Sequence, residues 1–333
     1  MGDEDGKRGI GIDVGGTKIL GVVADRHGDL THRIMVPTPK EPAEVGAGIA
    51  GVVNELIVRI TDEPADHGVD LAGVGVGVPG LVDRSGVLRY GPNVAGVVGL
   101  DIAAELRPVT DLGVIVENDA SLAAVAEHRV GAAQGHDHAL VITQGTGIGG
   151  GLIVDGALLR GANGFAGEPG HIVVDPLGPV CACGTRGCWE AFASGTGLAN
   201  IARTLVAKGG GVAILERAGG EPSHISGEHV ADALAAGDRD AEAVLDEFAR
   251  RVAVGLGGLI TVFDPSVVVL GGGLTALSDR FIPDVQSHVA DTILGSAYRP
   301  VVPIVPAQLG AEAGAVGGAL LAINPEEHRG ATS

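Results

Sequence analysis

The sequence predicts an α/β protein built as two similar halves. Three observations carry this expectation. The apolar runs Gly9–Val14 and Ile19–Asp25 flank the turn Gly15-Gly16-Thr17-Lys18, and Ala139–Thr143 and Ile148–Val154 flank Gln144-Gly145-Thr146-Gly147 in the same way. Both halves therefore open on a strand, a Gly-Thr turn and a strand. Segments of helical period alternate with further apolar runs, and 333 residues correspond to roughly two domains of about 150.

The elements follow in order. After Gly28 a third strand runs Leu30–Val36, completing a meander. From Glu41 to Ile60 the apolar residues Val45, Ile49, Val52, Val53, Leu56, Ile57 and Ile60 recur at helical spacing. Leu71–Gly77 is a strand ending at Pro79-Gly80, Asp101–Leu106 a short helix, Gly113–Val116 a buried strand and Ala120–Val130 a helix. Glu117-Asn118-Asp119 thus falls at the carboxyl end of a strand, where open α/β sheets bind ligands. In the second half Asp155-Gly156 turns a hairpin and a Gly- and Cys-rich loop spans Gly161–Gly187. Helical stretches follow at Trp189–Lys208 and Ala241–Val262, with a strand at Ser266–Leu270 that runs into Gly271-Gly272-Gly273. Ala311–Ile323, rich in Ala and Gly, reads as a closely packed helix.

Composition narrows the function. Lys and Arg number 22 against 41 Asp and Glu, a formal charge of −19. That balance opposes binding to nucleic acid or an anionic membrane, which needs clustered cations. No apolar run approaches the length of a membrane span and no secretory signal opens the chain, so a cytoplasmic location is expected. The 57 glycines accompany 45% hydrophobic residues, too apolar for a disordered tract, which places the glycines in turns and ligand loops.

Four motifs carry chemistry. In Asp13-Val14-Gly15-Gly16-Thr17-Lys18 a Gly-Gly turn presents backbone N–H groups to a phosphate, and the preceding carboxylate suits a hydrated Mg²⁺; an ordinary hairpin turn is the alternative. Gly145, Gly147 and Gly150 match a G-x-G-x-x-G pattern, but a strand follows them rather than a helix, so a second phosphate turn fits better than a dinucleotide site. Glu117-Asn118-Asp119 suits a general base for an attacking hydroxyl, or a helix cap. His171, Cys181, Cys183 and Cys188 form H-x9-C-x-C-x4-C, the ligand set of a closed tetrahedral zinc site. A disulfide between two of them would strand the third thiol. With all four positions filled by protein, such a site is structural. Glu168 and Glu190 flank it and could accept hydrogen bonds from sugar hydroxyls, or be solvated surface groups.

These motifs together resemble the ROK family, specifically its bacterial ATP-dependent glucokinases. The resemblance runs from Ile10 to about Ile323 and rests on Ile12–Lys18, Glu117-Asn118-Asp119-Ala120, Gly145–Gly151, Gly167-Glu168-Pro169-Gly170-His171, Cys181–Glu190 and Leu270–Gly273. It implies two RNase-H-like lobes of the actin and hexokinase superfamily with an interlobe cleft and a structural zinc loop at 171–188. One lobe would span 1–118 and regain the C-terminal helix, about 308–333; the other would span 119–307.

It also implies phosphorylation of a hexose by ATP, glucose to glucose 6-phosphate first, with Asp119 as base. Gly80, Asn93, Asn118, Glu168, His171 and Glu190 would contact the sugar, with His171 also binding zinc. Asp13 would lie near Mg²⁺, Gly15, Gly16, Thr17, Lys18, Gly145, Thr146 and Gly147 around the phosphates, and Gly271, Gly272 and Gly273 near adenosine. Members are often dimers or tetramers. Ser121 stands where many members carry Asn, and Val94-Ala95-Gly96-Val97 where relatives often carry Trp, which keeps mannose and N-acetylated hexosamines as alternatives. Sugar-responsive repressors of the same family carry a winged helix-turn-helix ahead of the first phosphate turn; here the first strand begins at Gly9, and the charge of −19 agrees with the kinase reading.

Overall fold

Alternation along the first strand explains why the first sheet carries different helices on its two faces. In the computed structural model, which describes residues 6–63, 69–91 and 94–326, β1 (Lys7–Val14) pairs antiparallel with β2 (Lys18–Asp25), and β2 with β3 (Leu30–Pro37). On its other side β1 pairs parallel with β4 (Asp70–Val78), and β4 with β7 (Val114–Asn118), giving the order β3-β2-β1-β4-β7. Ile10, Ile12 and Val14 share a fully buried cluster with Val74, Val76 and Val78 and with Ile49, Val53 and Leu56 of α1 (Val45–Asp62). Each such side chain contributes about 1.5–3 kcal/mol by leaving water.

The alternate positions of β1 are glycines because a helix backbone lies against them. A Cβ on Gly11 would sit 1.8 Å from the Ala315 carbonyl oxygen of α10 (Ala313–Ile323), far inside contact distance. Every residue of α10 is buried and most are Ala or Gly, so helix and sheet approach backbone to backbone.

Two small strands, β5 (Leu81–Val82) and β6 (Leu88–Tyr90), form a hairpin after β4, followed by α2 (Ile102–Leu106). α3 (Asp119–Val130) leaves β7 directly. The second sheet contains β8 (Ala139–Gln144), β9 (Ile148–Val154), β10 (Ala157–Leu158), β11 (Val267–Gly271) and β12 (Ile304–Pro306) in the order β10-β9-β8-β11-β12. The duplicated opening read in the sequence thus becomes two five-stranded sheets of matching order. The sequence-predicted strands and helices recur in these elements within a few residues at their ends.

The helices between β10 and β12 are α4 (Glu190–Ala193), α5 (Gly195–Ala207), α6 (Val212–Arg217), α7 (Gly227–Ala235), α8 (Arg239–Phe263) and α9 (Ser278–Thr292). Sequence periodicity passed over α6, α7, α9 and β12. α6 and α7 are short, and α9 carries Pro283 in its interior, which removes a backbone donor and reads as a helix stop. α8 has the clearest pattern: Val244, Leu245, Phe248, Val252, Leu256 and Ile260 are buried at three- and four-residue spacing.

The chain divides into two compact units. One comprises Met1–Val141, Gly151–Gly167 and Gln308–Ser333, the other Ile142–Gly150 and Glu168–Ala307. Among the described residues no helix is long and apolar enough to cross a membrane.

Candidate functional site

In the first unit, β1, α3 and α10 bring their ends together around two aspartates. Asn118, the last residue of β7, is the N-cap of α3: its Oδ1 accepts from the Ser121 N–H at 2.9 Å and its Nδ2 donates to the Gly80 carbonyl at 3.1 Å. The cap role raised for this tripeptide therefore falls to Asn118, which leaves Asp119 in the first helical turn without capping duty. Asp119 Oδ1 accepts from the Ala120 N–H at 2.8 Å. Asp13 is half-buried near the end of β1, and a Cβ placed on Gly314 at the start of α10 would lie 3.3 Å from its Cγ and 3.5 Å from the Asp119 carbonyl oxygen.

The two carboxylates share little positive charge. Burial pushes Asp13 up to about 7, with the neighbouring Asp119 adding to the rise and Lys18 opposing it. Burial also raises Asp119, against the stabilising hydrogen bond from Ala120. Such a pair calls for a cation or a proton. Behind them Glu117, 2% exposed, accepts from the Asn118 N–H at 3.0 Å and pairs with buried Arg160. Sequence reading assigned nothing to Arg160 or Gly314, because only the fold sets them beside this tripeptide.

The first Gly-rich turn follows directly. Gly15 N–H donates to Lys18 O at 2.9 Å, and Thr38 holds the turn from outside through Oγ1 to Gly15 O at 2.6 Å and N–H to Thr17 O at 3.0 Å. Gly16, Thr17 and Lys18 are exposed. Asn93 lies outside the described residues. Ser121, the departure noted above, is 4% exposed, and its backbone N–H is the one that Asn118 caps.

In the second unit, the β8–β9 turn spends its carbonyls on the protein. Gly145 O accepts from the Gly195 N–H at 2.8 Å and Thr146 O from Thr196 Oγ1 at 3.0 Å, at the start of α5. The Gly145 N–H closes the turn on Gly147 O at 2.9 Å. Glu190 Oε2 accepts from the Ile148 N–H at 2.9 Å, and a Cβ on Gly147 would come within 2.3 Å of that carboxylate oxygen, so a side chain there would displace Glu190 from this contact. Gly271 ends β11 and Gly272 packs against the Gln144 backbone, which sets the Gly271-Gly272-Gly273 triplet next to the same turn.

The zinc ligands predicted from spacing converge. One atom from each of His171, Cys181, Cys183 and Cys188 lies within 4.8 Å of all the others. Cys183 and Cys188 Sγ are 3.7 Å apart and Cys181 Sγ is 3.9 Å from His171 Nδ1. A tetrahedron with Zn–S bonds of about 2.3 Å has edges near 3.8 Å, whereas a disulfide brings sulfurs to about 2.05 Å. The donor set fits a four-coordinate zinc ion and not a disulfide; all three thiols are free. Burial pushes the Cys181 thiol up to about 12, and the Glu190 carboxylate, whose Oε1 lies 3.2 Å from its sulfur, adds to the rise. Glu168 Oε2 stands 4.0 Å from His171 Nε2, while Nδ1 is the ring nitrogen beside Cys181. Glu168, His171 and Glu190 thus form one connected polar group around the loop.

Volume alone would mislead. A groove of about 790 Å³ along α5 and α8 contains none of the predicted site residues.

The ROK family model matches residues 9–324. The chain belongs to the ROK family. It is 36% identical over 320 residues to a glucokinase of Streptomyces coelicolor, covering 95% of this chain and 98% of that one. It is 31% identical over 316 residues to an N-acetylmannosamine kinase of Escherichia fergusonii, covering 94% of this chain and 97% of that one. Among solved structures, a ROK family glucokinase from Streptomyces griseus in complex with glucose and AMPPNP superposes with a TM-score of 0.80 at 35% identity, covering 94% of this chain and 98% of that chain. The ROK chain is thus an enzyme homologous to ATP-dependent sugar kinases.

Proposed function

We propose that this ROK protein transfers the γ-phosphoryl group of ATP to the 6-hydroxyl of a hexose, glucose foremost, giving glucose 6-phosphate. The observation that carries the reading is Asp119: a carboxylate raised by burial, with the N-cap taken by Asn118, held by backbone N–H groups at the start of α3 and adjoining a second carboxylate. With Oδ1 held by Ala120, Oδ2 is the atom that takes the hydroxyl proton as the oxygen attacks phosphorus. A base poised above the ordinary carboxylate range is better matched to a proton that leaves near neutral pH.

In this reading Gly80, Asn93, Asn118, Glu168, His171 and Glu190 hold the remaining hydroxyls. The turns Gly15–Lys18 and Gly145–Gly147 lie around the phosphates in this reading, the Gly15 and Gly145 N–H groups closing each turn on itself, and Gly271–Gly273 lies by adenosine. Asp13 fits Mg²⁺, since an unneutralised carboxylate pair is a donor set for a hard cation that keeps its waters. Mg²⁺ supplies charge neutralisation on the phosphates; the protein's own share is positioning. Zinc serves to stiffen the loop that carries Glu168, His171 and Glu190. A cytoplasmic dimer or tetramer without nucleic-acid partners completes the reading, and light scattering after gel filtration measures the assembly.

The test is Asp119→Asn, which keeps the shape and removes the base. Turnover with ATP and glucose should fall at least a thousandfold while glucose affinity changes little, since general-base catalysis together with substrate alignment is lost. Turnover near wild type would remove Asp119 from the mechanism.

A further inference from the structure

We propose that the first unit carries a second, separate site for a phosphorylated hexose, in a cavity along the free edge of β7. The cavity measures about 340 Å³, the lower end of the small-molecule range of about 300–1,000 Å³, and is floored by Val114, Ile115 and Val116. β7 is the outer strand of its sheet, so this wall is not covered by a further strand.

The walls hold two arginines, each fixed by one part of its guanidinium. Arg84 donates through Nε and Nη2 to the carbonyls of Gly161 and Ala162, at 2.6 to 3.0 Å. The next residue back, Arg160, is 8% exposed and gives Nε to Glu117, while its Nη2 is buried with no hydrogen-bond partner. A guanidinium donor left buried and unpaired is costly, so a turn of the Arg160 guanidinium about its Glu117 contact toward an anion in the cavity is favoured. Across the cavity, Asp101 caps α2 with Oδ1, at 2.9 Å from the Ala104 N–H, and Ser85 gives its hydroxyl proton to Asp83 at 2.6 Å, so both present acceptors.

The lining is therefore polarised rather than uniformly basic. Arginine donors suit an anionic group and the Asp101 and Ser85 oxygens suit hydroxyls, which together describe a sugar monophosphate better than inorganic phosphate or a nucleic-acid backbone. Arg160 also joins the cavity to the proposed base, through Glu117 and the Asn118 N–H. A ligand that draws on Arg160 bears on the segment that holds Asp119. The proposed kinase reading enters only in the choice of probe, its product.

The experiment is calorimetric titration of glucose 6-phosphate into the full chain with glucose held at saturation. Arg84→Gln removes an anion contact, and Ala103→Phe fills the cavity from α2; neither residue belongs to the proposed catalytic machinery. One glucose 6-phosphate should bind per chain, at least tenfold more weakly in Arg84→Gln and not measurably in Ala103→Phe, with both variants melting as wild type does. No binding, or binding that both variants leave unchanged, would overturn the site. Inorganic phosphate binding as tightly as glucose 6-phosphate would overturn the hexose assignment. Failure of the kinase reading would appear instead as absent turnover, with these titrations unaffected.

Discussion

At the scale of single residues, the site keeps charge where folding would rather not have it. Asp13 and Asp119 both have folded-state pKa values above those of an unfolded chain, chiefly through burial. Their native forms bind protons more tightly, so stability falls as pH rises from the ordinary carboxylate range towards the folded values, and levels off above them. For Asp13 the window runs from 3.8 to about 7. Thermal melting of the metal- and nucleotide-free chain should show this slope, and Asp13→Asn should flatten it. At pH 8, Asp119→Asn should melt above wild type by a few degrees, roughly the effect of about 1 kcal/mol, while losing turnover. A lower melting temperature would mean that the carboxylate contributes to the fold instead. If Asp119 is the base, as proposed, its raised pKa should set the acid limb of kcat/KM above the usual carboxylate range, which initial rates between pH 5 and 8 measure.

At the scale of elements, sequence legibility followed chain proximity. The ligand set of the zinc loop lies in one short segment, so spacing alone brought out His171, Cys181, Cys183 and Cys188. Strand alternation was equally readable, because Gly9 and Gly11 interleave with Ile10 and Ile12. The Glu117–Arg160 pair, the approach of Asp13 to Asp119 and the place of Gly314 were not readable, since each depends on how distant segments cross in the sheet. α9 was hidden by Pro283, whose cost tertiary packing absorbs through buried Phe281, Val285 and Val289.

Two outcomes belong at this scale. Gly11→Val should prevent soluble folding, because α10 cannot move away without uncovering the sheet, and circular dichroism checks it. Metal analysis of chain purified without chelator should find one zinc per chain. Cys183→Ser should lower that content and open the loop to proteolysis between 172 and 188. A chain free of metal with an intact loop would contradict the structural role.

At the scale of the whole molecule, two five-stranded sheets of matching order organise a chain whose Gly-Thr turns sit at equivalent places, after β1 and after β8. That equivalence is what the sequence shows as duplication. The sugar's identity is less legible: Ser121 is buried in the first turn of α3, and hydroxyl recognition turns on small differences in placement rather than on residue type.

The most direct measurement is a coupled assay of ADP release with Mg-ATP and, in turn, glucose, mannose, fructose, N-acetylglucosamine and N-acetylmannosamine. The account predicts release that depends on the sugar, is fastest with glucose and forms one glucose 6-phosphate per ADP. ADP release at the same rate without sugar, or none with any of the five, would contradict it.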